Sequence, residues 1–180
     1  NIIFNNNISL NQFPYGLPPK NNLDFGFIQH MISSLNKDGK MGVVITKGIL
    51  FRGGVEGEIR KGIIEDDLIE AIVELPSSLY AGSSIPTLIL IINKKKSHDR
   101  KNNILFIVAE YEYEESKFKN KLRDPDIEKI ISTYENWEGK ENYSTYISLN
   151  QIRENIYNVG KIIDKIKFER KVSFLNSDFK

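Results

Sequence analysis

Four short apolar runs, at residues 41–46, 68–75, 87–93 and 104–109, constrain the fold of this 180-residue chain more than any other feature. The first run is rich in β-branched residues and too short for a helix, and each of the four is predicted to be a β-strand. The first run is also apolar on both faces, which predicts a central, buried strand of a parallel sheet.

Helical patterns alternate with these strands. Apolar residues recur at spacings of three and four in residues 24–36 and again in 56–65. Asp124-Pro125 is expected to supply an N-cap and first helical residue, and Ser148 with Gln151 has the spacing of a capping box. The order helix, strand, helix, three strands and two helices predicts an α/β fold whose parallel sheet ends in an antiparallel edge.

Two further expectations concern how the strands are exposed and connected. Glu70 and Glu74 alternate on one face of the second strand, so this face is not expected to be fully buried. Residues 94–103 are predicted to form a hairpin between the third and fourth strands. The basic run within it, 94–101, has two interpretations: a solvated tip that protects the sheet edge, or a contact to the DNA backbone.

Charge and cysteine content exclude several classes of function. The chain has 25 basic and 24 acidic residues, so any DNA contact has to be local. There is no cysteine, and the two histidines, His30 and His98, are far apart, so no metal site is expected. No apolar stretch is long enough for a membrane span and no leader pattern precedes the chain, so a cytoplasmic location without membrane contact is expected.

Three segments have residue types suited to recognising a nucleotide. At Asn1-Ile2-Ile3-Phe4, an amide oxygen and a backbone carbonyl could accept hydrogen bonds from an exocyclic amine while the ring stacks on the base; the alternative is a frayed strand end. Arg52, in a glycine-rich turn after the first strand, could meet a phosphate or simply belong to a strand-to-helix connection. Tyr80, in the loop 76–86, could stack on a base or cover its own loop.

Taken together, the ordered motifs of this chain resemble the modification (M) subunit of type I restriction-modification systems, an N6-adenine DNA methyltransferase. The resemblance covers nearly all of the chain to about residue 160. It is carried by Tyr15-Gly16-Leu17-Pro18-Pro19-Lys20, Leu50-Phe51-Arg52-Gly53-Gly54, Ile85-Pro86-Thr87-Leu88-Ile89-Leu90 and the segments 42–45, 56–57, 59–61, 75–76, 105–107, 113–115, 122–123, 126–130, 148–149 and 154–155.

The resemblance implies the C-terminal portion of a class I, Rossmann-like methyltransferase sheet with antiparallel edge strands, followed by C-terminal helices. We expect residues 1–145 to belong to the catalytic domain and 146–180 to form a helical extension. Asn1, the carbonyl of Ile2, and Phe4 match the family's catalytic tetrapeptide, in which two prolines stand where this chain has isoleucines. Tyr80 corresponds to the segment that supplies a second wall around the flipped adenine.

The same resemblance implies S-adenosylmethionine as cofactor and DNA as substrate. Its partners would be a specificity subunit, a second M subunit and a restriction subunit. The family's cofactor-binding residues precede its catalytic tetrapeptide, so the chain alone is not expected to bind the cofactor. Two alternatives stay open: a truncated or degenerate M subunit that acts only as a docking module, and an unrelated sheet-based nucleic-acid binder.

Overall fold

A computed structural model of the chain describes residues 12–165 and 167. Its elements follow the predicted order except for a fifth strand at residues 144–148, which was not predicted, and residues 159–165 are also helical. The elements in chain order are α1 (Asp24–Ser34), β1 (Lys40–Thr46), α2 (Gly54–Glu65), β2 (Ile69–Glu74), β3 (Thr87–Asn93), β4 (Asn103–Val108), α3 (Asp124–Glu135), β5 (Ser144–Ser148) and α4 (Leu149–Glu154).

The five strands form one mixed sheet in the order β1-β3-β2-β4-β5. Only β2 and β4 pair in parallel, whereas β1 with β3, β3 with β2, and β4 with β5 are antiparallel. Both strands at the ends of this order are therefore antiparallel to their neighbours. The predicted α/β class with antiparallel edge strands is confirmed.

The position predicted for β1 was wrong. Instead of lying centrally in a parallel arrangement, it occupies one end of the described sheet and pairs with β3 alone. Met41, Val43 and Ile45 pack on the core, but Val44, on the opposite face, is 48% exposed. An apolar run indicates which residues can be buried, but it does not indicate which strands are its neighbours in the sheet.

The predicted hairpin at residues 94–103 was also wrong. Because β3 lies between β1 and β2, and β4 pairs with the other side of β2, the connection crosses the end of β2. It is not a fully solvated tip: Lys96 is buried, with its ammonium 2.6 Å from Asp67 and 3.1 Å from the carbonyl of Asn103.

Alternate residues of β2 and β4 supply cores on both faces of the sheet. Ile72 and Phe106 belong to one cluster, which is covered by α1, α2 and α4. The neighbouring Val73 and Leu105 belong to the other, where Ile130 of α3 packs. Burying a side chain of this size contributes about 2 kcal/mol, so the two faces stabilise the sheet from both sides.

The acidic face of β2 is buried, contrary to the prediction. Glu70 is 1% exposed and Glu74 is 2% exposed. Glu70 accepts hydrogen bonds from the Tyr134 hydroxyl and from Nδ2 of Asn93, at 2.9 Å in the latter case. Its carboxylate also lies 3.0 Å from the ammonium of Lys40. Burial alone would raise the pKa of Glu70, but the hydrogen bonds from these three residues hold it below its usual range.

Two helix starts follow local capping chemistry. The predicted Ser148 box is confirmed: Gln151 N donates to Ser148 Oγ at 3.3 Å, and Ser148 N donates to Gln151 Oε1 at 2.9 Å. The N-cap of α3 is Arg123 rather than the predicted Asp124, since Arg123 N donates to Asp126 at 2.9 Å. Strand β5 crosses the proposed boundary at residue 145, and the two-part division of the chain stays a prediction.

The end of α2 is tied to the segment after α4 by Glu65. This carboxylate accepts hydrogen bonds from the Arg153 guanidinium, at 2.9 Å from Nε, and from the Tyr157 hydroxyl. The Arg153 hydrogen bond, followed by that from Tyr157, lowers the pKa of Glu65 to about 2.

This low pKa predicts acid-sensitive stability. A carboxyl whose pKa is lower in the folded state than in the unfolded state stabilises the fold above its unfolded pKa, and this contribution is lost as pH falls from about 4.5 towards 2. Glu65→Gln should therefore lower Tm at neutral pH and reduce the loss of Tm across this window. Thermal melts at several pH values, with Glu58→Gln on the same helix as control, would measure this; parallel curves for both variants would contradict it.

Candidate nucleotide-binding edge

Three loops leave the same edge of the sheet. Thr46, at the end of β1, pairs with Thr87 at the start of β3. Glu74, at the end of β2, is in register with Val108 at the end of β4. The loops 47–53, 75–86 and 109–123 therefore start from one side, which we call the loop edge. In open α/β sheets, ligands bind at the carboxyl ends of the strands, so this edge is the candidate site.

Arg52 lies on the first of these loops and is held by two carboxylates. Its Nη1 is 2.9 Å from Asp24 and 3.2 Å from Glu56, and its side chain is 33% exposed. The hydrogen bond to Asp24, reinforced by Glu56 against the opposing effect of burial, raises the pKa of Arg52. Its ion pairs order the strand-to-helix connection, and a contact from Arg52 to DNA stays a prediction.

Tyr80 lies on the second loop and is 48% exposed. Ser83 N donates to the Tyr80 carbonyl at 3.1 Å, which forms a tight turn around the aromatic residue. The loop is closed at its ends because Leu75 N donates to the Thr87 carbonyl, also at 3.1 Å. A half-exposed ring on an ordered turn is suited to stacking against a base, although the role of Tyr80 stays a prediction.

A partly buried ionic group centred on the buried Glu74 underlies the second loop; we call it the Glu74 cluster and define it as Glu74, Lys47, Lys167 and Glu110. The Glu74 carboxylate contacts the ammonium of Lys47 with one oxygen, and its other oxygen is 2.6 Å from Lys167 Nζ. Lys167 also pairs with Glu110. Burial would lower the pKa of Lys167, but the two carboxylates raise it. The cluster joins the loop edge to the helical segment after residue 159.

The third loop contains an antiparallel turn that the sequence reasoning did not identify as a site. Glu114 and Lys121 pair through both backbone amides, at 2.9 and 3.0 Å, and enclose residues 115–120, of which 116–120 form the tip. Asn120 binds the second loop, with its N donating to the Ser78 carbonyl at 2.8 Å and its Nδ2 to the Ser77 carbonyl at 2.9 Å. We call residues 114–121 the edge hairpin. A phenylalanine between lysines was its only sequence signal.

The predicted site residues are only partly placed. Asn1, Ile2 and Phe4 lie outside the described residues. Tyr80 and Arg52 lie on different loops of the same edge, and none of the observed hydrogen bonds or ion pairs joins them. The structure thus supports a shared edge for these two residues.

The carboxylates near the loop edge bear on whether the described residues could hold a cofactor or a metal ion. A nucleoside cofactor needs free acceptors for its ribose hydroxyls, but Glu74 at the loop edge is ion-paired to two lysines, and Asp24 and Glu56 are both paired to Arg52. These three carboxylates are therefore engaged with cations and do not offer the free acceptor that a ribose needs. Within residues 12–165 and 167, no cluster of three potential metal ligands occurs, and no helix is long and apolar enough to cross a membrane.

Comparison with known proteins identifies the class. Residues 2–170 match the N-6 DNA Methylase family, and the chain belongs to this family. It is 42% identical over 159 residues to the type I restriction enzyme MjaVII methylase subunit of Methanocaldococcus jannaschii, which covers 87% of the chain and 27% of that relative. It is 37% identical over 134 residues to the HindI methylase subunit of Haemophilus influenzae, covering 73% of the chain and 30% of that relative.

A solved structure agrees with these matches. The type I restriction-modification methyltransferase subunit from Streptococcus thermophilus superposes with a TM-score of 0.77 at 36% identity, covering 82% of this chain and 31% of the other. The expected methyltransferase fold and the resemblance to type I M subunits are thereby confirmed. The chain spans about 30% of the length of these relatives.

Proposed function

We propose that this chain is the C-terminal part of the catalytic domain of a type I restriction-modification methylase subunit, which methylates adenine N6 in DNA. The observation that carries this proposal is the 42% identity to the MjaVII methylase subunit across 87% of the chain. S-adenosylmethionine belongs to the proposal for the whole subunit, as do the specificity, restriction and second modification subunits. A cytoplasmic location accompanies this assignment.

In this proposal the chain supplies groups that hold the target base. Asn1 and the carbonyl of Ile2 accept hydrogen bonds from the adenine amine, while Phe4 packs on the ring. Tyr80 forms a second wall, supported by its half-exposed position on an ordered loop. The isoleucines at positions 2 and 3 do not fix φ as the family's prolines do.

Reconstitution tests the activity. The chain would be combined with the segment that precedes the matched region in the MjaVII subunit, and transfer of a tritiated methyl group from S-adenosylmethionine to DNA would be measured. Methylated adenine is the expected product. Folded chain that associates with the added segment without methylating DNA would instead favour the docking-module alternative.

Tyr80→Ala should reduce methyl transfer in this assay. Loss of one base-stacking ring costs about 1–3 kcal/mol, which corresponds to a decrease of roughly fivefold to 150-fold in kcat/KM. Tyr80→Phe keeps the ring and should retain most of the activity. Equal kinetics for the wild type and Tyr80→Ala would remove this residue from the base-binding site, and a thermal melt of each variant would check that folding is unaffected.

A further inference from the structure

The tip of the edge hairpin exposes an aromatic ring between basic side chains. Phe118 is 83% exposed, an unusual position for such a large apolar residue. Lys117 and Lys119 flank it in sequence, and the Lys117 ammonium lies 5.7 Å from the centre of its ring. An exposed ring with adjacent ammonium groups has the chemistry of a nucleic-acid contact, in which lysines meet phosphates and the ring stacks on a base.

The hairpin is fixed beside the proposed base-binding loop. Both Asn120 hydrogen bonds reach carbonyls of the second loop, residues 75–86, which we call the Tyr80 loop. The two carbonyls are those of Ser77 and Ser78. A bound DNA strand that placed a base against Tyr80 would therefore pass close to residues 116–121. Because the anchor uses backbone carbonyls, the lysine and phenylalanine side chains of the tip stay available for a ligand.

The charges around the tip favour an anionic ligand. Lys117, Lys119 and Lys121 form no ion pair within the described part of the chain, and residues 116–121 contain no acidic residue. Of the acidic residues that precede the tip, Glu110 is paired to Lys167 and Glu112 to Lys129.

Two acidic residues, Glu114 and Glu115, remain at the base of the edge hairpin. Residues 116–121 therefore carry three positive charges and no negative charge, next to these two glutamates.

We propose that the edge hairpin is a DNA contact, in which Lys117, Lys119 and Lys121 bind backbone phosphates and Phe118 stacks on an unpaired base next to the target. This proposal rests on the proposed function, since it takes DNA as the substrate. It adds a binding element that is independent of the catalytic tetrapeptide.

Binding to fluorescently labelled duplex DNA, measured by anisotropy at several salt concentrations, tests the lysines. The variant Lys117→Ala/Lys119→Ala/Lys121→Ala should bind more weakly than wild type. Its plot of log K against log salt should be shallower by about 0.9 for each lost phosphate contact. The control Lys37→Ala/Lys61→Ala/Lys161→Ala removes equal charge at three exposed positions outside both the edge hairpin and the basic run 94–101. Identical slopes for the two triple variants would overturn the proposal.

Phe118 is tested with duplexes that contain a mismatched, easily unstacked base. Phe118→Ala and Phe118→Leu should both lower affinity for the mismatched duplex, by about tenfold for alanine, with no change in salt slope. If Phe118→Leu bound the mismatched duplex as tightly as the wild type does, the proposed stacking of Phe118 on a base would be overturned. Failure of methyl transfer alongside intact hairpin-dependent binding would count against the proposed activity alone, so the two proposals fail separately.

Discussion

Replacing Arg60 by alanine is expected to lower the free energy of unfolding by about 4 kcal/mol. Arg60 is 5% exposed and donates to three backbone carbonyls, those of Ile49 at 3.1 Å, Arg52 at 2.7 Å and Tyr157 at 2.8 Å. Without it, one buried and two partly buried acceptors lose their donor, and a cavity remains in the core. Burial lowers the pKa of the Arg60 guanidinium, because a cation removed from water is less stable in its charged form.

Urea denaturation of three variants would measure this effect. Arg60→Lys keeps the charge but cannot reach three carbonyls with a planar fork, so an intermediate loss is expected. Lys61→Ala, at the exposed neighbouring position, should change the free energy of unfolding by about 0.5 kcal/mol or less. A loss for Arg60→Ala no larger than that for Lys61→Ala would show that water replaces the guanidinium. Because Arg60 holds the Arg52 carbonyl, the loop edge should also lose hydrogen-exchange protection at residues 47–52.

Elements specified by local chemistry were predictable from the sequence. The apolar spacing in residues 24–36 and 56–65 gave α1 and α2 to within two residues at each end. The capping box of Ser148 and Gln151 fixed the start of α4, because both hydrogen bonds form within four residues. Only the N-cap of α3 moved, by one residue, since Asp126 satisfies the backbone of Arg123.

Features set by distant partners were not predictable. The face of β2 that bears Glu70 and Glu74 was not expected to be fully buried, but Lys40, Lys47 and Lys167 come from remote parts of the chain and neutralise the two carboxylates. Strand spacing gives only the face on which a side chain lies, and what covers that face depends on tertiary packing.

The candidate site likewise has one feature that follows from the sequence and one that does not. That Arg52 and Tyr80 share an edge follows from the position of each after a strand, which the sequence shows. The contact between the edge hairpin and the Tyr80 loop joins Asn120 to Ser77, which lie 43 positions apart in sequence. The spacing of apolar residues along the chain does not indicate such a contact.

Replacing Glu74 by alanine is expected to cost about 3–5 kcal/mol of folding free energy, because it removes one partner from a buried ion pair. Glu74 is 2% exposed, and the side chains of Lys47 and Lys167 are 23% and 18% exposed. Both ammonium groups would lose their shared carboxylate, and Glu110 would be the partner left to Lys167 among residues 12–165. The residue immediately precedes the Tyr80 loop, so hydrogen exchange in residues 75–86 should accelerate together with the loss of stability.

A double-mutant cycle separates the ion pair from loss of packing. Glu74→Gln keeps the side-chain volume and removes the charge, while Lys167→Met removes the facing charge. If the Glu74–Lys167 pair is the source of the effect, the double variant should be more stable than the sum of the single losses predicts, by about 1–3 kcal/mol. Each single variant leaves the other member of this pair without its partner, and the double variant does not carry that penalty twice, whereas Lys47 and Glu110 lose a partner equally in the single and double variants. Additive losses would mean that Lys167 contributes only packing and that the C-terminal helical segment is not coupled to the Tyr80 loop through Glu74.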